Sequence, residues 1–108
     1  MNVSGMIRGY MSKNMDSEAF LLHVCNVIEN QLQEWDEEFE VFVMKFKHYE
    51  IVVKHKEDYF HVHLTEEKLN RLQHTSAFSL DRYIWEELQR QGIEIIRGTG
   101  NYIDYVFQ

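Results

Sequence analysis

The chain has 108 residues, a net charge of −7 at pH 7 and a single cysteine. This length predicts one domain with its own core, and it leaves little room for a large enzyme cleft on a scaffold. The acidic balance offers no basic face for phosphates, which argues against nucleic-acid binding. Short apolar runs, the absence of a secretory leader pattern and one unpaired cysteine favour a cytoplasmic protein that does not enter a membrane.

The first fourteen residues show no clear hydrophobic period and contain Gly5 and Gly9. We interpret residues 1–14 as a flexible N-terminal arm, because termini without a buried face are commonly poorly ordered. A single α+β domain is predicted to follow at residues 15–108.

A long amphipathic helix is predicted from Asp16 or Ser17, either of which can cap it. Its apolar stripe recurs at helical spacing and is predicted to pack on a sheet. Cys25 falls mid-helix beside Val24, so we expect a buried thiol and not a nucleophile. The stripe consists of Phe20, Leu21, Val24, Val27, Ile28, Leu32 and Trp35.

Residues 39–64 predict a three-stranded antiparallel meander. Turns at Lys47-His48 and Glu57-Asp58 would fix its register, placing Met44 opposite Ile51 and Lys54 opposite His61. Because strand side chains alternate, one face would then be the core. That face would hold Phe42, Met44, Phe46, Ile51, Val53, Phe60, Val62 and Leu64. The other, mixed face would hold Val41, Val43, Lys45, Glu50, Val52, Lys54, His61 and His63.

Two further helices and a closing hairpin complete the predicted fold. Thr65 can cap a helix at 66–74, and Ser79 can cap a second at 80–91 that ends near Gly92. Residues 93–96 and 102–107 flank a turn-like segment at 98–101 and predict two more strands. The predicted order is α-βββ-α-α-ββ, an α+β fold in which helices cover an antiparallel sheet.

His61 and His63 lie two residues apart on a predicted strand, so their imidazoles would share one face. Zinc or nickel needs three or four ligands, and the predicted neighbour of His61 is a lysine, which disfavours a metal. Two readings therefore stay open: a metal or small-ligand site, or two histidines on a half-exposed sheet face.

Acidic residues are concentrated near the end of the first helix, while aromatic residues are abundant towards the C-terminus. We expect a non-enzymatic protein-interaction or regulatory module of the bacterial cytoplasm, without a cofactor. The partner would be another protein, and the acidic run favours a basic one. A homodimer through an exposed strand or the mixed sheet face is also expected. The predicted partner-binding residues are Glu34, Asp36, Glu37, Glu38, Trp85, Tyr102 and Tyr105.

Immunity proteins, antitoxins and secretion chaperones include small acidic α+β proteins, and the comparison is one of class alone. The alternative function is metal or small-ligand binding by His61 and His63.

Overall fold

The computed structural model describes residues 5–98 and 101–108. Within them, helices lie against an antiparallel three-stranded sheet of strand order β1-β2-β3, which confirms the α+β class. None of the helices in these ranges is long and apolar enough to cross a membrane. The elements are α1 (Gly5–Asn14), α2 (Ser17–Trp35), β1 (Phe39–Lys45), β2 (Tyr49–His55), β3 (Asp58–Leu64), α3 (Glu66–Thr75), α4 (Ser79–Arg90) and α5 (Tyr102–Val106).

The helix boundaries follow from local capping chemistry. Asp16 caps α2 by accepting a hydrogen bond from the Ala19 N–H at 2.8 Å. Thr65 caps α3 in the same way through the Lys68 N–H at 3.1 Å. Each cap satisfies one of the amide groups that the first turn leaves without a helical partner. Ser79 is the first residue of α4 and is not its side-chain cap.

The apolar stripe of α2 forms the centre of the core, as its spacing predicts. Cys25 is buried as well, and burial among carboxylates raises the pKa of its thiol to about 12. Each fully buried large aliphatic or aromatic side chain contributes about 1.5–3 kcal/mol of transfer free energy. The buried stripe residues are Phe20, Leu21, Val24, Val27, Ile28 and Leu32.

The register of the first hairpin differs from the prediction by one residue. Val43 lies opposite Ile51, because a three-residue turn joins β1 to β2 where two residues were predicted. A slip of one residue exchanges the two faces of a strand. The predicted core residues Phe42 and Phe46 are therefore exposed, by 45% and 72%, while Val41 packs against the core.

The second hairpin differs by two residues, so its faces are preserved. Val52, not Lys54, lies opposite His61, and the turn residue Lys56 has a φ of 57°. The face of the sheet that carries no helix among the described residues is called the open face below. It consists of Glu40, Phe42, Met44, Glu50, Val52, Lys54, Tyr59, His61 and His63.

The predicted C-terminal hairpin is wrong for the described residues. Tyr102–Val106 is the short helix α5, and residues 93–98 have no regular structure; Thr99 and Gly100 lie outside the described residues. Asn101 caps α5 through the Ile103 N–H, and Arg82 Nε donates to the Val106 carbonyl at 2.9 Å. These contacts give the Ile103 N–H and the Val106 carbonyl hydrogen-bond partners without a hairpin.

The N-terminal segment assigned to a flexible arm contains α1 from Gly5 onward. Arg8 and Ser12 are buried, so this helix is packed against the domain. Residues 1–4 lie outside the described residues.

Candidate functional site

A cleft of about 390 Å³ lies where the β2–β3 turn meets the segment that follows α4. The end of α2 and the beginning of β1 supply its aromatic wall, while residues after α4 close the other side. We call it the aromatic cleft. Its lining residues are Trp35, Phe39, His55, Asp58, Phe60, Gly92, Ile93, Glu94 and Ile96.

Local structure explains why these side chains meet. Trp35 is the last residue of α2 and Phe39 the first of β1, so a short acidic turn brings both rings to one end of the sheet. Gly92 has a φ of 113°, a left-handed conformation that suits glycine and turns the chain back after α4. That reversal places Ile93 and Glu94 across the cleft from the aromatic wall.

His55 is held in place on this wall by two contacts. Its ring stacks on Phe39 with 4.0 Å between centroids and 14° between planes. Its Nε2 donates to Asp36 Oδ2 at 2.8 Å. This bond and the Glu38 backbone N–H lower the pKa of Asp36, because both stabilise the ionised carboxylate.

The charge at the aromatic cleft is acidic. Asp58 and Glu94 are exposed at its rim, and Asp36 is hydrogen-bonded to the Nε2 edge of the His55 ring. No lysine or arginine lines it within residues 5–98 and 101–108. An apolar cleft with aromatic walls and a carboxylate rim is suited to a cation that carries an apolar stem.

The predicted partner-binding residues fall into two groups. Glu34, Glu37 and Glu38 are exposed, and Asp36 is half-buried against His55. Tyr105 is 44% exposed. These residues are open to contact from outside the molecule.

Trp85 and Tyr102 require a correction, since both are completely buried and cannot anchor a surface contact in this structure. The Trp85 Nε1–H donates to the Tyr102 hydroxyl at 3.0 Å, and that hydroxyl donates to Asp81. Arg8 forms a buried ion pair with the same carboxylate. The two aromatic residues therefore belong to a polar cluster in the core, which we call the buried cluster: Arg8, Asp81, Trp85 and Tyr102.

His61 and His63 share the open face, as the strand pattern predicts. The Nδ1 of His61 contacts Glu50 Oε1 at 2.6 Å, and Glu50 is the cross-strand neighbour of His63. In the part of the chain that the structure describes, no three His, Cys, Asp or Glu side chains are arranged to hold a metal ion. The contact with Glu50 gives His61 a partner without a metal.

Comparison with protein-family models, with curated proteins and with solved structures found no significant match to this chain. The site therefore rests on its own geometry. Sequence reasoning missed Trp35, Phe39 and Phe60 as site residues, because Trp35 and Phe60 were assigned to the core and Phe39 was given no role beyond starting the first strand. The usable signal was the position of Trp35 and Phe39 within the predicted acidic run, on either side of Asp36, Glu37 and Glu38.

Proposed function

We propose that this protein is a non-catalytic interaction module that receives a lysine or arginine side chain of a partner protein in the aromatic cleft. The observation that carries the proposal is the meeting of three aromatic residues with the rim carboxylates of Asp58 and Glu94. The described lining contains no basic side chain that would occupy this position internally.

The energetics favour a cation over a neutral group. A cation against an aromatic face contributes about 0.5–1 kcal/mol when exposed and about 2 kcal/mol when desolvated. The aliphatic stem of lysine or arginine would pack on Ile93 and Ile96, while its charged end meets the carboxylates. A guanidinium has the additional advantage of stacking and of donating two parallel hydrogen bonds to one carboxylate.

The electrostatic field of the whole protein also favours a basic partner. Glu34, Glu37 and Glu38 are exposed on the segment that leads into the aromatic cleft, and the whole chain has a net charge of −7. Such a field speeds the encounter with a basic surface and weakens with salt. A cytoplasmic site of action is part of the proposal, supported by the single, buried cysteine.

The test uses the peptide acetyl-Gly-Arg-Gly-amide and the same peptide with citrulline, its uncharged isostere. Amide and indole chemical shifts of the labelled protein are followed by NMR during titration. We expect weak, salt-dependent binding of the arginine peptide, with the Trp35 indole, Phe39 and Phe60 among the perturbed groups. Citrulline should bind roughly fivefold more weakly, the effect of about 1 kcal/mol.

The double variant Asp58→Asn/Glu94→Gln should lose the preference for arginine over citrulline while keeping its fold. The matched control is Glu67→Gln/Glu86→Gln, which removes two exposed carboxylates on α3 and α4 outside the aromatic cleft. Equal binding of the two peptides by the unmodified protein, or shifts that avoid the cleft, would refute the proposal.

A further inference from the structure

The two edges of the sheet are protected differently. On β3, the Gln91 side chain accepts from the His61 N–H at 3.1 Å and donates to the His61 carbonyl at 2.7 Å. Tyr83 donates from its hydroxyl to the His63 carbonyl at 3.2 Å. Side chains thus hydrogen-bond to β3 backbone groups that could otherwise pair with another strand.

On β1, similar protection covers only the beginning of the strand. Gln33 Nε2 donates to the Phe39 carbonyl at 3.0 Å, and Glu29 accepts from the Val41 N–H at 2.8 Å. Since alternate residues of an antiparallel strand point their backbone groups the same way, Val43 and Lys45 also face outward. Within the described residues, no side chain hydrogen-bonds their backbone on this edge.

Apolar surface lies on both sides of this unprotected edge. On the helical side, α2 and β1 enclose a groove of about 220 Å³, and the Leu22 side chain beside it is 50% exposed. On the open face, Phe42 is 45% exposed and Met44 is half-buried. Backbone groups that need partners are therefore flanked above and below by side chains that gain from burial.

We propose that β1 pairs antiparallel with β1 of a second copy of this chain, with Val43 opposite Val43 on a two-fold axis. The two central residues would exchange both main-chain hydrogen bonds, and Lys45 N–H would reach the Val41 carbonyl of the second copy. In this register Phe42 faces Met44 across the interface in both directions. Glu29 keeps its bond to the Val41 N–H, so it limits the paired length without preventing it.

The charge pattern identifies a second copy as the occupant. Asp36, Glu37 and Glu38 precede β1 and Glu40 lies within it, whereas Lys45 is its last residue and Lys47 lies in the turn that follows. The Lys45 ammonium already lies 3.3 Å from Glu18 of its own chain, so Lys47 carries the charge argument at this end. Antiparallel self-pairing places each acidic beginning beside the basic end of the other copy. A parallel arrangement would instead place acids beside acids. Self-complementarity of this kind is what an isologous two-fold interface requires.

Sedimentation velocity over a range of protein concentrations tests the proposal. We expect a reversible dimer for the unmodified chain. Lys47→Glu and Glu38→Lys should each raise the dimer dissociation constant roughly tenfold or more, because each places like charges together twice in the dimer. An equimolar mixture of the two variants should restore dimers, since both pairs are then attractive.

Lys13→Glu and Glu86→Lys are the controls, because they make the same changes in net charge at exposed sites on α1 and α4. Val43→Pro is an independent variant: it removes an N–H that faces outward, so it should abolish the dimer without breaking a bond inside the sheet. A monomer at millimolar concentration would overturn the proposal, and so would a dimer that the three variants leave unchanged.

The proposal does not depend on the aromatic cleft, since Glu38, Val43 and Lys47 do not line it. If the peptide titration shows no binding, the dimer prediction still stands. If sedimentation velocity shows only a monomer, the peptide prediction still stands.

Discussion

Two acid–base pairs in this molecule have similar chemistry and opposite surroundings. Arg8 and Asp81 form an ion pair in which both side chains are 0% exposed. His55 and Asp36 form a pair at the aromatic cleft in which the side chains are 25% and 33% exposed. The first joins α1 to α4 in the core, and the second joins the C-cap of α2 to the last residue of β2 at the surface.

The two aspartates respond in opposite directions. Burial raises the pKa of Asp81, although the charge of Arg8 and the hydrogen bond from Tyr102 act against this shift. At Asp36 the hydrogen bond from His55 lowers the pKa, and little desolvation opposes it. The comparison shows that loss of water controls the inner pair and that the partner controls the outer one. Breaking the inner pair should therefore have the larger effect on stability.

The largest effect is expected for Arg8→Met. It would leave the Asp81 carboxylate buried without its counter-charge and remove a guanidinium that lies 4.9 Å from the Phe78 ring centroid. We expect a loss of about 3–5 kcal/mol in the free energy of unfolding. Urea denaturation measures it, with Lys13→Met as the control at an exposed position of the same helix.

The double variant Arg8→Met/Asp81→Leu should recover part of the loss, because no buried charge then remains. Equal stability of Arg8→Met and Lys13→Met would contradict the packing of α1 against the domain. It would instead favour the flexible arm that the sequence predicts.

A smaller effect is expected for Tyr102→Phe within the same buried cluster. The change removes a hydroxyl that donates to Asp81 and accepts from Trp85 Nε1–H, leaving the indole N–H without its acceptor. The expected loss is about 1–3 kcal/mol, the cost of an unsatisfied buried polar group. Tyr105→Phe is the matched control, because Tyr105 is 44% exposed on the same helix. Equal losses for the two variants would show that the hydroxyl network is not what stabilises α5.

The sequence predicts those parts of the fold that depend on near neighbours. The stripe of α2 and the caps Asp16 and Thr65 are local patterns, and all were confirmed. The first hairpin register was wrong because either face of β1 offers apolar residues. In the observed register Val41 and Val43 face α2, and the Val41 N–H donates to Glu29 of that helix.

The ends of the chain were less predictable because their structure depends on contacts between residues that are far apart in the sequence. Arg8 and Asp81 are 73 positions apart, and no spacing rule links them. Residues 102–107 have the composition of a strand. They contain the helix α5 instead, in which Asn101 caps the first turn and the Tyr102 hydroxyl donates to Asp81 in the core. At the aromatic cleft, the acidic run was visible in the sequence, whereas the approach of Phe60 and Glu94 depends on tertiary structure.

The outer pair should produce the smallest effect, and its sign depends on pH. Because the folded state lowers the pKa of Asp36 below the unfolded value of about 3.9, the ionised carboxylate favours folding. This contribution is fully present above about pH 4 to 5 and is lost as the pH falls through the folded-state pKa. Asp36→Asn should therefore be less stable than the unmodified protein at neutral pH, and the difference should shrink towards pH 2 to 3. Urea denaturation at a series of pH values measures this difference, with exposed Glu37→Gln as the control. A difference that stays constant with pH would show that Asp36 acts through its turn geometry and not through its charge.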